Sequence, residues 1–217
     1  MARRRGNVAK VVAGAVVISF IGASAGILAL SNASDNTTTK TKTPELSAAS
    51  KELVRLLDKR DEITYHAKYQ AAAPGTQGLA IETWQLPPRV RQDSEIQSDG
   101  QKIKARVLLI DGDRVRCAQL NDAEWSCRAG GEASVDPLES FRQRLSQGTV
   151  TARDNTVDGR SVRCFTLKTT EGTSELCLVP ATGIPVRISG GQTQMRLVAL
   201  DTIVDSELFV PPAAVTG

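Results

Sequence analysis

Residues 63–71 read ITYHAKYQA, and within this stretch the spacing of apolar side chains changes. Ile63, Tyr65, Ala67, Tyr69 and Ala71 alternate with Thr64, His66, Lys68 and Gln70. Successive side chains of a strand point to opposite faces, so a period of two marks a strand with one dry and one wet face. His66, the single histidine of the chain, falls on the wet side and is expected to be solvated.

The period is different upstream. In TPELSAASKELVRLLDKRDE, residues 43–62, Leu46, Ala49, Leu53 and Leu56 fall on one helical stripe with Leu57 beside it. Thr43 is the expected cap, and Pro44 suits a first helical turn, where its missing N–H costs nothing. Downstream, strand patterns recur at 78–86, 89–97, 102–110, 114–120, 124–128, 150–154, 160–168, 174–179, 184–189 and 193–204. Turn chemistry separates them, as in Pro87-Pro88, Asp111-Gly112, Asn121-Asp122, Asp158-Gly159 and Glu171-Gly172. One segment interrupts the series: DPLESFRQRLSQG, residues 136–148, has Asp136 as cap, an apolar stripe of Leu138, Phe141 and Leu145, and Gly148 as stop.

Strands joined by short turns are antiparallel neighbours. The expected fold is therefore α+β: one large antiparallel sheet of about eleven strands with two helices on one face. Residues 44–217 are long enough for a single domain with its own core.

Four cysteines sit at two of the turns. Cys117 and Cys127 are equidistant from Asp122, and Cys164 and Cys177 flank Thr170-Glu171 in the same way. Opposed positions of a hairpin bring Cβ atoms to about 4.5–5.5 Å, from which a modest adjustment closes a disulfide. Zinc sites space paired cysteines by about two residues or add histidines, and neither pattern is present. The two pairs therefore read as hairpin disulfides, with no metal and no cofactor, in a domain that matures in an oxidising compartment.

The amino-terminal end agrees with that compartment. From Val11 to Leu30 no residue is charged, a run of about 20 positions and enough for a helix to span a bilayer. Arg3, Arg4, Arg5 and Lys10 precede it and keep residues 1–10 in the cytoplasm. The reading is a retained signal-anchor over 11–30 at the cell membrane, with the rest of the chain extracytoplasmic. Ser31-Asn32-Ala33 offers a cleavage site, so a removed signal peptide stays as the alternative. Residues 31–43, rich in Ser, Thr and Asn, form a flexible linker.

The chain carries 27 Lys and Arg against 24 Asp and Glu. Four of those bases, and no acids, lie in the first ten residues, which leaves 23 against 24 elsewhere. The basic excess thus reflects membrane topology, and no nucleic-acid footprint remains. No Gly-x-Ser-x-Gly elbow, glycine-rich phosphate loop or His-Glu-x-x-His occurs. The chain is not expected to be an enzyme.

The stretches LLIDGDRVRCAQLNDAEWSC, RCFTL…ELCLVPATGIPVRIS and VDSELFVPPA, in this element order, resemble the LolA-like superfamily of bacterial lipoprotein carriers, in its exported actinobacterial-type members. That resemblance implies a strongly curved, incomplete barrel with helices on its concave side, around an apolar cavity for acyl chains. Tyr65, Tyr69, Trp84, Phe141 and Leu145 are the candidates for the cavity lining. Such a cavity is expected to reach several hundred cubic ångströms. The function implied is a membrane-anchored binding protein for lipid or lipoprotein acyl chains. The alternative is a protein-interaction or sensory ectodomain, which would act with a membrane-protein partner because only about ten residues lie inside the cell.

Overall fold

The computed structural model describes residues 46–72, 77–98, 100–130, 138–191 and 193–216. The tail, anchor and linker expected over 1–10, 11–30 and 31–43 lie outside the described residues. No helix among the described residues is long and apolar enough to cross a membrane.

The first element among the described residues is α1 (Ala48–Asp61). Its cap is Ser47, whose hydroxyl accepts a hydrogen bond from the Ser50 amide at 3.1 Å, and Thr43 lies outside the described residues. Lys59 and Arg60 in the last turn suit the negative end of the helix dipole. Leu53, Leu56 and Leu57 are buried, and Leu46 and Ala49 pack at the edge of the same core.

Five meander strands follow β1 (Tyr65–Ala72): β2 (Gln77–Leu86), β3 (Arg89–Ser98), β4 (Gln101–Ile110), β5 (Asp113–Leu120) and β6 (Ser126–Ala129). The second helix, α2 (Glu139–Arg144), continues as a 3-10 turn over Leu145–Gln147. The backbone extends at Gly148, the expected stop, and the regular helix is shorter than the 136–148 segment because its last three residues tighten to 3-10 pairing. The expected cap Asp136 lies outside the described residues. A second meander comprises β7 (Thr149–Val157), β8 (Arg160–Thr169), β9 (Gly172–Leu178), β10 (Pro185–Gly190) and β11 (Thr193–Asp201). A 3-10 turn at Ser206–Phe209 leads to the short β12 (Val215–Thr216).

All twelve strands form one sheet in the order β12-β6-β5-β4-β3-β2-β1-β11-β10-β9-β8-β7, and its two ends do not pair. The two meanders meet where β1 pairs antiparallel with β11. The count exceeds the expected eleven by β12, which also breaks the all-antiparallel expectation: it runs parallel to β6, with Val215 opposite Cys127. A strand of two residues has no periodicity to read, and the parallel course follows from the chain crossing the sheet before pairing.

One face of the sheet carries both helices. Leu53, Leu56 and Leu57 of α1 and Leu138, Phe141 and Leu145 around α2 share a buried cluster with Tyr65, Tyr69, Ile81, Phe165, Leu176 and Leu197. Gln85 of β2 fixes the helix end to the sheet: its amide donates to the Arg60 carbonyl at 2.7 Å and to that of Ile63 at 3.3 Å. Leu108, Val115, Cys117 and Cys127 form a second, smaller core on the other face, and the C-terminal segment covers it through Ala213.

Both expected disulfides are present. Cys117 is opposite Cys127 and Cys164 opposite Cys177, with Cα atoms 4.0 and 3.9 Å apart. The short Cα separations match the closer, non-hydrogen-bonded type of antiparallel pair. Glu175 lies beside the Cys164 and Cys177 sulfurs, a grouping that could ligate a metal through free thiols. Both sulfurs are instead consumed in the bond between them.

Candidate ligand pocket

A pocket of about 260 Å³ opens between the C-terminal end of α1 and the helix-bearing face of the sheet. Its apolar wall comes from Tyr65 and Tyr69 of β1, Ile81 of β2 and Met195 of β11, with Leu138 arriving from the start of α2. Alternation along the strands puts these side chains together, since Tyr65, Ala67, Tyr69 and Ala71 of β1 all turn inward. Register then aligns Tyr69 with Ile81 on one side and with Leu197 on the other. Pro87, Pro88, Val90 and Leu109 form the mouth, where the Pro87–Pro88 peptide is cis.

Polar side chains complete the lining. Arg60, Asp61, Thr83, Gln85 and Gln92 touch the pocket. Arg60 is ion-paired with its neighbour Asp61, and Arg142 from α2 bridges Asp61 and Asp58 on α1. These contacts tie the two helices to each other beside the opening. Gln85 is engaged with the helix end, and most of the pocket's lining surface is apolar.

Of the candidate lining residues, the pocket brings together Tyr65 and Tyr69. Phe141 and Leu145 lie deeper in the main core, at 0% and 5% exposure, and Leu138 is the residue near α2 that reaches the pocket. Trp84 is on the other face of β2. Thr83 and Gln85 flank it in sequence and point into the pocket, so alternation turns Trp84 away. Ile81, Val90, Leu109 and Met195 were missed by composition-based reasoning, although their places in the period-two pattern carried the signal.

The outer face shows why Trp84 and His66 are paired. His66 is directly opposite Trp84, and the two rings stack with centroids 4.8 Å apart and planes 6° from parallel. Arg91 covers Trp84 from the next strand, its guanidinium carbon 4.3 Å from the ring centre. His66 Nε2 also meets Glu82 Oε1 at 2.6 Å. The histidine is therefore half-buried and oriented by cross-strand neighbours, contrary to the solvated side chain expected from sequence.

Farther along that face, Asp93 receives hydrogen bonds from both Arg91 and Arg106, and Arg91 also donates to the Leu208 carbonyl at 3.0 Å. Burial pushes the Asp93 carboxyl up, but hydrogen bonds and attraction from the two arginines outweigh it and hold the group below the usual range. Glu175 behaves alike: burial raises it, and Arg153 and Arg187 together bring it down. These clusters lie across the sheet from the pocket and clamp strands together.

No family model matches the chain, and no curated protein matches it. Solved structures with a similar shape include MucB in complex with MucA(peri), at 18% identity and a TM-score of 0.40, covering 72% of this chain and 56% of that one. The MucA/MucB complex of Pseudomonas aeruginosa gives 17% and 0.45, covering 76% and 61%. The chain thus spans less than two thirds of the length of either match. An uncharacterized conserved protein from Thermus thermophilus gives 12% identity and a TM-score of 0.52, covering 75% of this chain and 97% of that one. That last likeness runs through nearly the whole of the Thermus protein and shows a shared fold. The open sheet with helices on one face is also the architecture implied by resemblance to the LolA-like superfamily.

Proposed function

We propose that the chain is a binding protein of the cell envelope, anchored at the membrane by residues 11–30, that takes the acyl chain of a lipid or lipoprotein into this pocket. The reading assigns it binding and no catalysis. The observation that carries it is the apolar wall of Tyr65, Tyr69, Ile81, Leu138 and Met195 beneath an open mouth. Burying a methylene contributes about 0.8 kcal/mol, so an alkyl tail can be retained without polar contacts. A volume of about 260 Å³ is small beside the roughly 300–1,000 Å³ of typical ligand sites, so the pocket suits the end of one chain better than a whole lipid.

The test is a native mass spectrum of the full chain, released from nonionic detergent after incubation with envelope lipids. Retained mass equal to one lipid, lost on organic extraction, supports the proposal. A clean apo mass after the same incubation sinks it. That outcome favours a second reading, an envelope protein-interaction ectodomain, for which Val198, Leu200 and Ile203 offer exposed apolar side chains at 54%, 38% and 81%.

A further inference from the structure

Strand parity decides where the arginines of β5 and β6 point. Val115 and Cys117 are buried with Leu108 and Cys127 in the outer core. Arg114 and Arg116 alternate with them and so turn to the opposite side, the side of the pocket. Pairing gives the same answer: the pocket residue Leu109 is opposite Arg114, and Val107 is opposite Arg116. Arg116 in turn faces Arg128 directly across β5 and β6.

Two like charges in opposed positions destabilise a sheet unless something lies between them. Other arginines of this sheet have carboxylates: Arg91 and Arg106 meet Asp93, Arg163 meets Glu52, and Arg187 meets Glu175. Neither Arg116 nor Arg128 has an acidic partner among the described residues. Between this pair and the pocket mouth runs an apolar strip, the half-buried Val107 and Leu109 of β4. Adjacent strands lie about 4.8 Å apart, so two strand spacings, roughly 10 Å, separate Val107 from Arg128, and Leu109 lies two residues further along β4 towards the pocket.

We infer that Arg116 and Arg128 hold the phosphate of an anionic lipid whose acyl chain crosses Val107 and Leu109 and ends in the pocket. The inference rests on the acyl-chain reading above and adds the headgroup class. A phosphate accepts forked, charge-assisted hydrogen bonds from guanidinium groups, and bound between the two arginines it would turn their repulsion into shared attraction. The pocket's small volume fits the same picture, since it needs to take only the far end of the tail.

The test uses the full chain in nonionic detergent with phosphatidylglycerol and phosphatidylcholine carrying identical acyl chains, and bound lipid is counted by native mass spectrometry. Wild type is expected to prefer phosphatidylglycerol by about tenfold. The double variant Arg116→Gln/Arg128→Gln is expected to lose that preference while binding phosphatidylcholine as wild type does, which also shows that it is folded. Equal binding of the two lipids by wild type, or a preference that survives in the variant, overturns the headgroup assignment and leaves the acyl-chain reading intact. If neither lipid binds, both fall together. Displacement of phosphatidylglycerol by equimolar inorganic phosphate would overturn the lipid as the source of the anion.

Discussion

The carbonyl oxygen of Leu56 in α1 occupies the place that a side chain on Gly183 would need: a Cβ built on that glycine stands 1.9 Å from the oxygen. The first helix thus rests on bare backbone in the loop between β9 and β10.

Gly183 also has φ of +72°, a conformation that costs other residues strain. Gly183→Ala is expected to destabilise the fold by roughly 2–4 kcal/mol, combining that strain with displacement of α1. Thermal unfolding followed by circular dichroism should show a midpoint lower by roughly 5–15 °C. An unchanged midpoint would mean that α1 does not rest on this loop.

The disulfide between Cys164 and Cys177 joins β8 and β9 where both side chains are fully buried. Cys164→Ser/Cys177→Ser is expected to cost about 2–4 kcal/mol, through the freed unfolded chain and two buried hydroxyls. Guanidinium unfolding should report it as a lower midpoint with the native sheet spectrum retained beforehand.

Asp93 joins Arg91 of its own strand to Arg106 of the next, so Asp93→Asn should cost about 1–3 kcal/mol near neutral pH by leaving two largely buried cations uncompensated. The pH dependence has a defined sign. The folded carboxyl is held below its ordinary value, so its stabilisation is present above about pH 4 and disappears as acid titrates the folded group. Urea midpoints at pH 6 and pH 3 should show the gap between wild type and Asp93→Asn narrowing at the lower pH. A constant gap would remove Asp93 from the acid response.

Met195 lines the pocket and is 6% exposed. Met195→Trp should fill the space at a cost of about 1–3 kcal/mol from overpacking. Bound lipid in a native mass spectrum should fall at least severalfold relative to wild type. Undiminished loading would place the lipid somewhere other than this pocket.

Most of the sheet was legible because alternation and turn residues are local signals. The disulfides were legible for the same reason, since cysteines equidistant from a turn must oppose each other in a tight hairpin. Trp84 shows where weighting by residue type misleads. Its large ring suggested a cavity wall, but its neighbours Thr83 and Gln85 turn inward and put it outside with His66 and Arg91. The buried Gln85 could not be read locally, because its role depends on the end of α1 lying above β2. Strand β12 was invisible because its partner β6 is distant in sequence and the two residues carry no pattern. The opposition of Arg116 and Arg128 follows from the same hairpin as Cys117 and Cys127, but the face they share with the pocket became visible only with the pairing of β5 to β4.

The seam between β1 and β11 also bears on how the molecule is made. Its partners, such as Tyr69 and Leu197, are more than a hundred residues apart, whereas β2 through β6 can each pair with the strand just completed. A chain emerging from its amino terminus therefore produces β1 early and holds one edge of it unpaired until β11 arrives. A bare edge invites pairing with other chains. The interval before the seam closes is thus the period of greatest exposure to misassembly, and factors that guard nascent chains would have β1 as their first charge.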